Sequence, residues 1–408
     1  MSKRKNFVKW IGLIGMLALP VAASAAGDIC YLRDAAAPSA KTAYLLCGQG
    51  MVYSTTDAGG HWTLQRVGKA LDVRASATMT NEQKAQLVLG ATPELHAIDF
   101  RDETHGLIVG DGGAIFASDD GGKTWLNRVN DKKQNFTTEH LLDVQEIGNL
   151  AWAAGFDGTI LHSTDGGLTW EKQTSGTTMS LQGVYFLNPN LGWAVGWSGT
   201  ILRTTDGGKK WQAVMGGEVS SSALTAGQQG AATAAGSAVM GGGASSSAPT
   251  AGQQGADTDV GSYSLSTVYF RDEKNGWACG FAGELVGSHN GGLTWQPLKS
   301  PVQSLLSSVA IDKAGHIWIA ADEQLIVSED GGQTWTVDAV NKNLFLTRVF
   351  GQGDSLWALG ELGLLKQVGS TKEWKDVENF HPAGTFIADS LEAMGDAGAP
   401  ATPAAPAK

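Results

Sequence analysis

Cysteine is scarce in this chain, with three residues in 408, too few for a disulfide framework or a four-cysteine zinc module. Proline is also sparse, at eleven residues, and charged residues make up only 17%, which argues against a largely disordered polymer. There is no Cys/His nucleophilic pair, zinc-ligand spacing, P-loop or dinucleotide fingerprint. Basic residues are the minority, 29 against 40 acidic, for a formal net charge of -11. That balance disfavours binding nucleic acid by phosphate neutralisation. Beyond the N-terminal segment no apolar run is long enough for a membrane-spanning helix. Glycine and tryptophan are abundant, at 55 and 14 residues. Glycine has nearly twice its usual share, so turns should be many.

The N-terminus reads as an address. Lys3, Arg4, Lys5 and Lys9 precede an apolar run from Trp10 to Val21, and Ala23-Ser24-Ala25 supplies small residues for cleavage. A secretory signal over residues 1–25 is expected. With Cys30 beyond the new terminus rather than at it, a lipid anchor is not indicated. The expected location is the periplasm, with secretion as the alternative.

Self-similarity organises the rest. SDDGGKTW (Ser118 to Trp125), STDGGLTW (Ser163 to Trp170), TTDGGKKW (Thr204 to Trp211), SHNGGLTW (Ser288 to Trp295) and SEDGGQTW (Ser328 to Trp335) are variants of one octet. TTDAGGHW (Thr55 to Trp62) is a degenerate copy, and Trp374 alone survives from another. The closing tryptophans are 63, 45, 41, 84, 40 and 39 residues apart. Before each octet come two short strands joined by a glycine turn, as in GWAVGWSGTILRT (Gly192 to Thr204), preceded by an alternating strand such as LQGVYF or LSTVYF. Four strands per unit and seven units predict an all-β, seven-bladed β-propeller of four-stranded antiparallel blades over residues 26–394. One such sheet cannot cover both its faces, whereas radial stacking covers each with its neighbours. Trp152, Trp193, Trp277, Trp318 and Trp357 share one second-strand position and are expected in the packing between blades. The ring is expected to close either with the first blade complete in itself or with a late strand, such as Gly384 to Asp389, added to it.

The octet resembles the Asp box, or bacterial neuraminidase repeat. That resemblance implies a hairpin clasp in which the acidic side chain accepts turn amides, glycine takes positive φ and tryptophan tucks beneath. The residues so placed are Asp57, Asp120, Asp165, Asp206, Asn290 and Asp330. A calcium loop would need further acidic ligands and a glutamate at its twelfth position, and none follows Asp165, Asp206 or Asp330. Neither metal nor cofactor is expected.

Together, VYF, GWAVG, GTIL and TTDGGKKW resemble the photosystem II stability/assembly factor family of propellers, over residues 28–378. The resemblance implies a non-catalytic lumenal or periplasmic propeller that binds protein and assists a membrane protein complex. In bacteria without photosynthesis it implies an accessory to a large export transporter. The expected partner is therefore a membrane protein complex or transporter subunit. The alternative is a secreted carbohydrate-active hydrolase of the Asp-box type. A sialidase would need an arginine cluster and a nucleophilic tyrosine, but nine arginines and six tyrosines occur in the whole chain, most at repeat positions. A two-carboxylate glycosidase stays open. Arg33, Arg101 and Arg271, in LRD, FRD and FRD, are expected after the first strand of their repeats, each paired with its own Asp34, Asp102 or Asp272.

Two insertions join a fourth strand to the next first strand. The longer, residues 216–262, is a Gly/Ala/Ser/Gln-rich stretch expected to be a disordered loop, as is the Ala/Pro tail over residues 395–408. These connections should share a face with the turns between second and third strands. On that face Asp111, Phe156, Asp157, Trp197, Phe281 and Glu361 form an acidic, partly aromatic rim, expected to dock a partner; the competing role is packing at blade edges. Repeat alignment brings Cys30 beside Cys47 in the first blade, within disulfide reach in an oxidising compartment, and leaves Cys279 remote.

Overall fold

The computed structural model describes residues 30–48, 50–67, 93–128, 137–216, 264–322, 324–338, 344–353, 355–361, 363–369, 371–377 and 380. All lie in one compact unit, Cys30–Thr385. The signal segment, both insertions and the Ala/Pro tail fall wholly or almost wholly outside these residues.

Seven antiparallel sheets follow one another along the chain, each of four consecutive strands. The first blade comprises β1 (Leu32–Ala36), β2 (Ala43–Cys47), β3 (Met51–Thr55) and β4 (Thr63–Arg66). The second comprises β5 (Leu95–Phe100), β6 (Gly106–Gly110), β7 (Ile115–Ser118) and β8 (Leu126–Asn127). The third holds β9 (Leu141–Ile147), β10 (Leu150–Gly155), β11 (Ile160–Ser163) and β12 (Glu171–Gln173). The fourth holds β13 (Leu181–Phe186), β14 (Gly192–Gly196), β15 (Ile201–Thr204) and β16 (Gln212–Met215). The fifth is β17 (Leu265–Phe270), β18 (Gly276–Gly280), β19 (Leu285–Ser288) and β20 (Gln296–Pro297). The sixth is β21 (Leu306–Ile311), β22 (Ile317–Ala321), β23 (Gln324–Ser328) and β24 (Thr336–Asp338). The last is β25 (Leu346–Gln352), β26 (Ser355–Gly360), β27 (Gly363–Gln367) and β28 (Trp374–Asp376). This is the seven-bladed propeller anticipated from the repeat.

The apolar core is divided into clusters, each between neighbouring blades. One joins Leu32, Leu45 and Tyr53 of the first blade to Trp357 and Leu359 of the last, so the ring closes. Among the described residues the first blade has four strands of its own and meets the last by side-chain packing; the late strand Gly384 to Asp389 lies outside them. Phe380 supports it, edge-on to Tyr53 with ring centroids 5.3 Å apart and tilted against Trp62 at 5.0 Å. A Cys30–Cys47 disulfide ties the residues before β1 to the end of β2.

Aromatic layers carry much of the packing between blades. Trp152 of β10 stacks on Phe186 of β13 at 3.7 Å, and Phe186 meets Trp211 edge-on at 5.8 Å. Trp193 of β14 repeats this with Phe270 and Trp295, at 3.5 and 5.6 Å. Tyr44 takes the tryptophan's place in the first blade and stacks on Phe100 at 3.6 Å. Glycine opens β6, β14 and β18 for lack of space: a Cβ on Gly192 would lie 2.5 Å from the Phe186 ring.

First strands are edge strands, and an edge leaves backbone amides unpaired. Side chains from the preceding blade satisfy several of them. Asp34 accepts the Ile98 amide at 2.9 Å, Asp99 that of Glu146 at 2.7 Å, and Asp143 that of Val184 at 2.8 Å. Ser308 does the same for Val349 at 2.6 Å. Arg348 lies 2.5 Å from Asp34, and its charge also acts on Asp99 and Asp143.

The three arginine-aspartate dipeptides are not equivalent. Arg101 and Arg271 reach their own aspartates at 3.7 and 3.3 Å, as expected for residues just past a first strand. Arg33 instead lies within β1 and pairs with Glu94, which leaves Asp34 to Arg348. Arg101 also bonds Glu146 of the next blade at 3.3 Å.

Candidate functional site

The turns between second and third strands are built to one plan. In the second to fifth blades they are single 3-10 turns, Asp111–Gly113, Phe156–Gly158, Trp197–Gly199 and Phe281–Gly283. The first turn residue donates its amide to the carbonyl just before the blade's first strand: Asp111 to Glu94, Phe156 to His140, Trp197 to Ser180 and Phe281 to Ser264, at 2.9–3.0 Å. These turns therefore share a face with the connections between blades.

Glycine on either side of the turn is set by close approach. A Cβ on Gly196 would lie 2.0 Å from the Ser180 carbonyl oxygen, and one on Gly158 2.0 Å from that of Thr177. The second turn residue has a positive φ: 56° in Asp157, 54° in Ser198 and 54° in Ala282. Only the first turn residue is free of both constraints, close approach and positive φ, and there the chain places Asp111, Phe156, Trp197 and Phe281. The turn does not require an aromatic at this position.

Trp197 and Phe281 are 49% and 48% exposed, large apolar rings facing water. Phe156 is half-buried, its ring 5.1 Å from that of His140. Asp157 and Glu361 are exposed. Asp111 differs from the free acidic group expected of it. Its Oδ1 lies 2.7 Å from Nε2 of His96 and 2.5 Å from Nδ1 of His140. Partial desolvation raises its pKa, but the hydrogen bonds from the two imidazoles outweigh this and hold the carboxyl below its usual range.

The octets lie at the other end of the blades, against the turns between first and second strands. Gly166 donates to the Asn149 carbonyl at 2.8 Å and Gly207 to that of Asn190 at 3.0 Å. Within one octet, Asp165 accepts the Thr169 amide at 2.8 Å and its hydroxyl at 2.5 Å. The Ser163 hydroxyl, itself donating to Asp165, accepts the Gly167 amide at 2.9 Å. Asp57, Asp120, Asp206 and Asp330 accept the equivalent amides at 2.9 Å, and Asn290 at 3.0 Å. The second octet glycine meets the neighbouring blade: a Cβ on Gly292 would fall 2.2 Å from Nε1 of Trp193. A shallow cleft of about 360 Å³ lies at the ring seam, lined by Gly59, Lys366 and Lys375 among others.

Acidic groups with raised pKa values are found where first strands meet, a place sequence reasoning did not single out. Desolvation pushes Asp99 up to about 6 and Asp143 to about 7. Glu146 is pushed to about 9 by desolvation and the charge of Asp99. Such shifts can mark catalytic acids. Here one oxygen of Asp99 and one of Asp143 bind backbone amides of the next blade, which is a structural duty. The signal was an Asp third in LRDAA and in LLDVQ, and fifth in LHAIDF. No helix among the described residues is long and apolar enough to cross a membrane.

A family model described as photosynthesis system II assembly factor YCF48 matches residues 75–183. The photosystem II assembly lipoprotein Ycf48 of Synechococcus sp. (strain CC9902) is 38% identical over 77 residues, 18% of this chain and 22% of that protein. The match thus spans about a fifth of the curated relative's length. The solved structure of YCF48 bound to D1 peptide superposes with a TM-score of 0.57 at 17% identity, covering 84% of this chain and 94% of the other. YCF48 from Cyanidioschyzon merolae gives 0.55 at 17% identity, covering 83% and 96%. At these identities the solved structures establish the fold.

Proposed function

We propose that this photosystem II assembly factor-like propeller is a non-catalytic docking protein, exported to the periplasm, that holds a segment of a membrane protein complex on the face carrying Phe156, Trp197 and Phe281. One observation carries the reading. Successive blades place an aromatic ring at the single turn position that the backbone leaves free, and two of these rings are half exposed. Exposed tryptophan and phenylalanine in a group supply the apolar anchors that dominate protein interfaces. Asp157 and Glu361 would rim that surface with negative charge, favouring a partner segment with basic residues.

Support for a membrane-complex partner comes from the relatives: one bears the name of a photosystem II assembly lipoprotein and another was solved with a D1 peptide. A subunit of an export transporter is the more specific partner we favour for a chain with a bacterial-type signal segment. Hydrolysis is the weaker reading, because Asp99 and Asp143 each spend an oxygen on a neighbouring blade's amide.

The test is capture from detergent-solubilised envelopes with the wild-type protein and with a Trp197→Ala, Phe281→Ala variant. The expected result is one membrane protein complex retained by the wild type and lost with the variant. Equal retention by both would refute the assigned face.

A further inference from the structure

We propose that His96, Asp111 and His140 form a binding site for a divalent transition-metal ion, of which Zn²⁺ is the natural probe. One oxygen and two imidazole nitrogens, from three separate segments, converge so that all three atoms lie within 4.8 Å of one another. His96 occupies the bulge of β5, where pairing with β6 shifts between Leu95 and Ala97. Asp111 opens the turn after β6, and His140 is the last residue before β9. The site bridges the second and third blades, and each ligand is held by local structure: the bulge, the Asp111 amide bond to Glu94, and the Phe156 amide bond to the His140 carbonyl.

The propeller repeat does not demand this triplet. At the junction of the fourth and fifth blades the equivalent positions hold Gln182, Trp197 and Ser264. Between the first and second blades, Arg33 and Glu94 occupy the positions of His96 and His140 and make an ordinary ion pair. A polar bridge between blades therefore needs only two opposite charges. Two imidazoles converging on one carboxylate oxygen is a different arrangement, with a net negative charge when both rings are neutral.

The donor set selects the ion. Two nitrogens and one carboxylate oxygen suit zinc and its neighbours rather than calcium or magnesium, which prefer all-oxygen shells. Around a tetrahedral Zn²⁺ with bonds near 2.0–2.1 Å, adjacent ligand atoms stand about 3.3 Å apart. The present separations of 2.7 and 2.5 Å must open by about 0.6 and about 0.8 Å to reach that spacing, which side chains that are 22–43% exposed can do. Three protein ligands leave a fourth position for water. The site does not depend on the docking role, since its ligands are complete within this chain.

The experiment is calorimetric titration of untagged, metal-stripped protein with ZnCl₂, alongside a His96→Ala, His140→Ala variant. One equivalent should bind the wild type, and the variant should bind at least roughly tenfold more weakly, since even the loss of an outer partner has that effect. X-ray absorption of the zinc-loaded wild type gives an answer that does not depend on the variant's folding, and should show two imidazole ligands. Absence of saturable binding, binding unchanged in a folded variant, or a zinc shell without imidazole would each overturn the site.

Discussion

Trp193 and Trp197 belong to one short stretch of chain, yet Trp193 is fully buried against Phe270 while Trp197 is 49% exposed. The hairpin turns the first into the seam between blades and the second out to solvent. Their replacements should therefore separate. Trp193→Ala opens a cavity and should lower stability by about 3–5 kcal/mol. Trp197→Ala should leave the melting temperature nearly unchanged and weaken partner binding by about 2 kcal/mol or more. Thermal unfolding and binding measured on the same two variants check both halves.

Asp143 gives a pH dependence of known sign. Its pKa, raised to about 7 by desolvation, lies above the value of about 3.9 expected in the unfolded chain. The folded state thus holds the proton more tightly. Its contribution to stability is full below the unfolded pKa and declines as pH rises toward about 7. Asp143→Asn keeps an acceptor for the Val184 amide and removes the titration. Urea midpoints at about pH 4 and about pH 7.5 should show the variant gaining relative to the wild type at the higher pH; a constant difference contradicts the assignment.

Asp165 should act in the opposite sense. Partial desolvation raises its pKa, but hydrogen bonds from Thr169 and Ser163 outweigh this and lower it, so its stabilisation is lost only as pH falls below the ordinary carboxylate range. Asp165→Ala removes the acceptor of the Thr169 amide and should cost about 1 kcal/mol at neutral pH. Asp165→Asn should retain most of that, as Asn290 holds the same position in the fifth blade and its Oδ1 accepts the Thr294 amide at 3.0 Å. Chemical unfolding of both variants decides it.

The disulfide closes a short loop at the ring seam, with a sequence separation of 17. Reduction should lower stability by about 3 kcal/mol, measurable as a shift in the urea midpoint with and without dithiothreitol. Cys279 is buried and its thiol pKa is raised by burial, so it should not exchange with the bridge. A Cys30→Ser, Cys47→Ser variant should lose its sensitivity to the reductant.

The period of the octets made the blades countable, because one tryptophan closes each unit and sequence order equals strand order. The turn motif was legible as well: glycines flank a variable pair in GDGG, GFDG, GWSG and GFAG, so the free position could be identified. What passes between blades was harder to read. Phe186 and Phe270 sit in the VYF strands, yet their stacking on Trp152 and Trp193 depends on how one repeat is rotated onto the next, which a linear period does not contain. The same holds for Asp34, Asp99 and Asp143, whose partners are backbone amides of another blade. Asp111 read as a free rim acid because His96 enters through a bulge and His140 through a connection, both outside the regular strand pattern.

The docking face is tested most directly by site-specific photo-crosslinking in intact cells, with a photoreactive phenylalanine analogue placed at Trp197, at Phe281 and, as a control on the opposite face, at Lys123. The account predicts adducts from Trp197 and Phe281 to the same integral-membrane protein complex and none from Lys123. Adducts from Lys123 alone, or equally from all three positions, would contradict it.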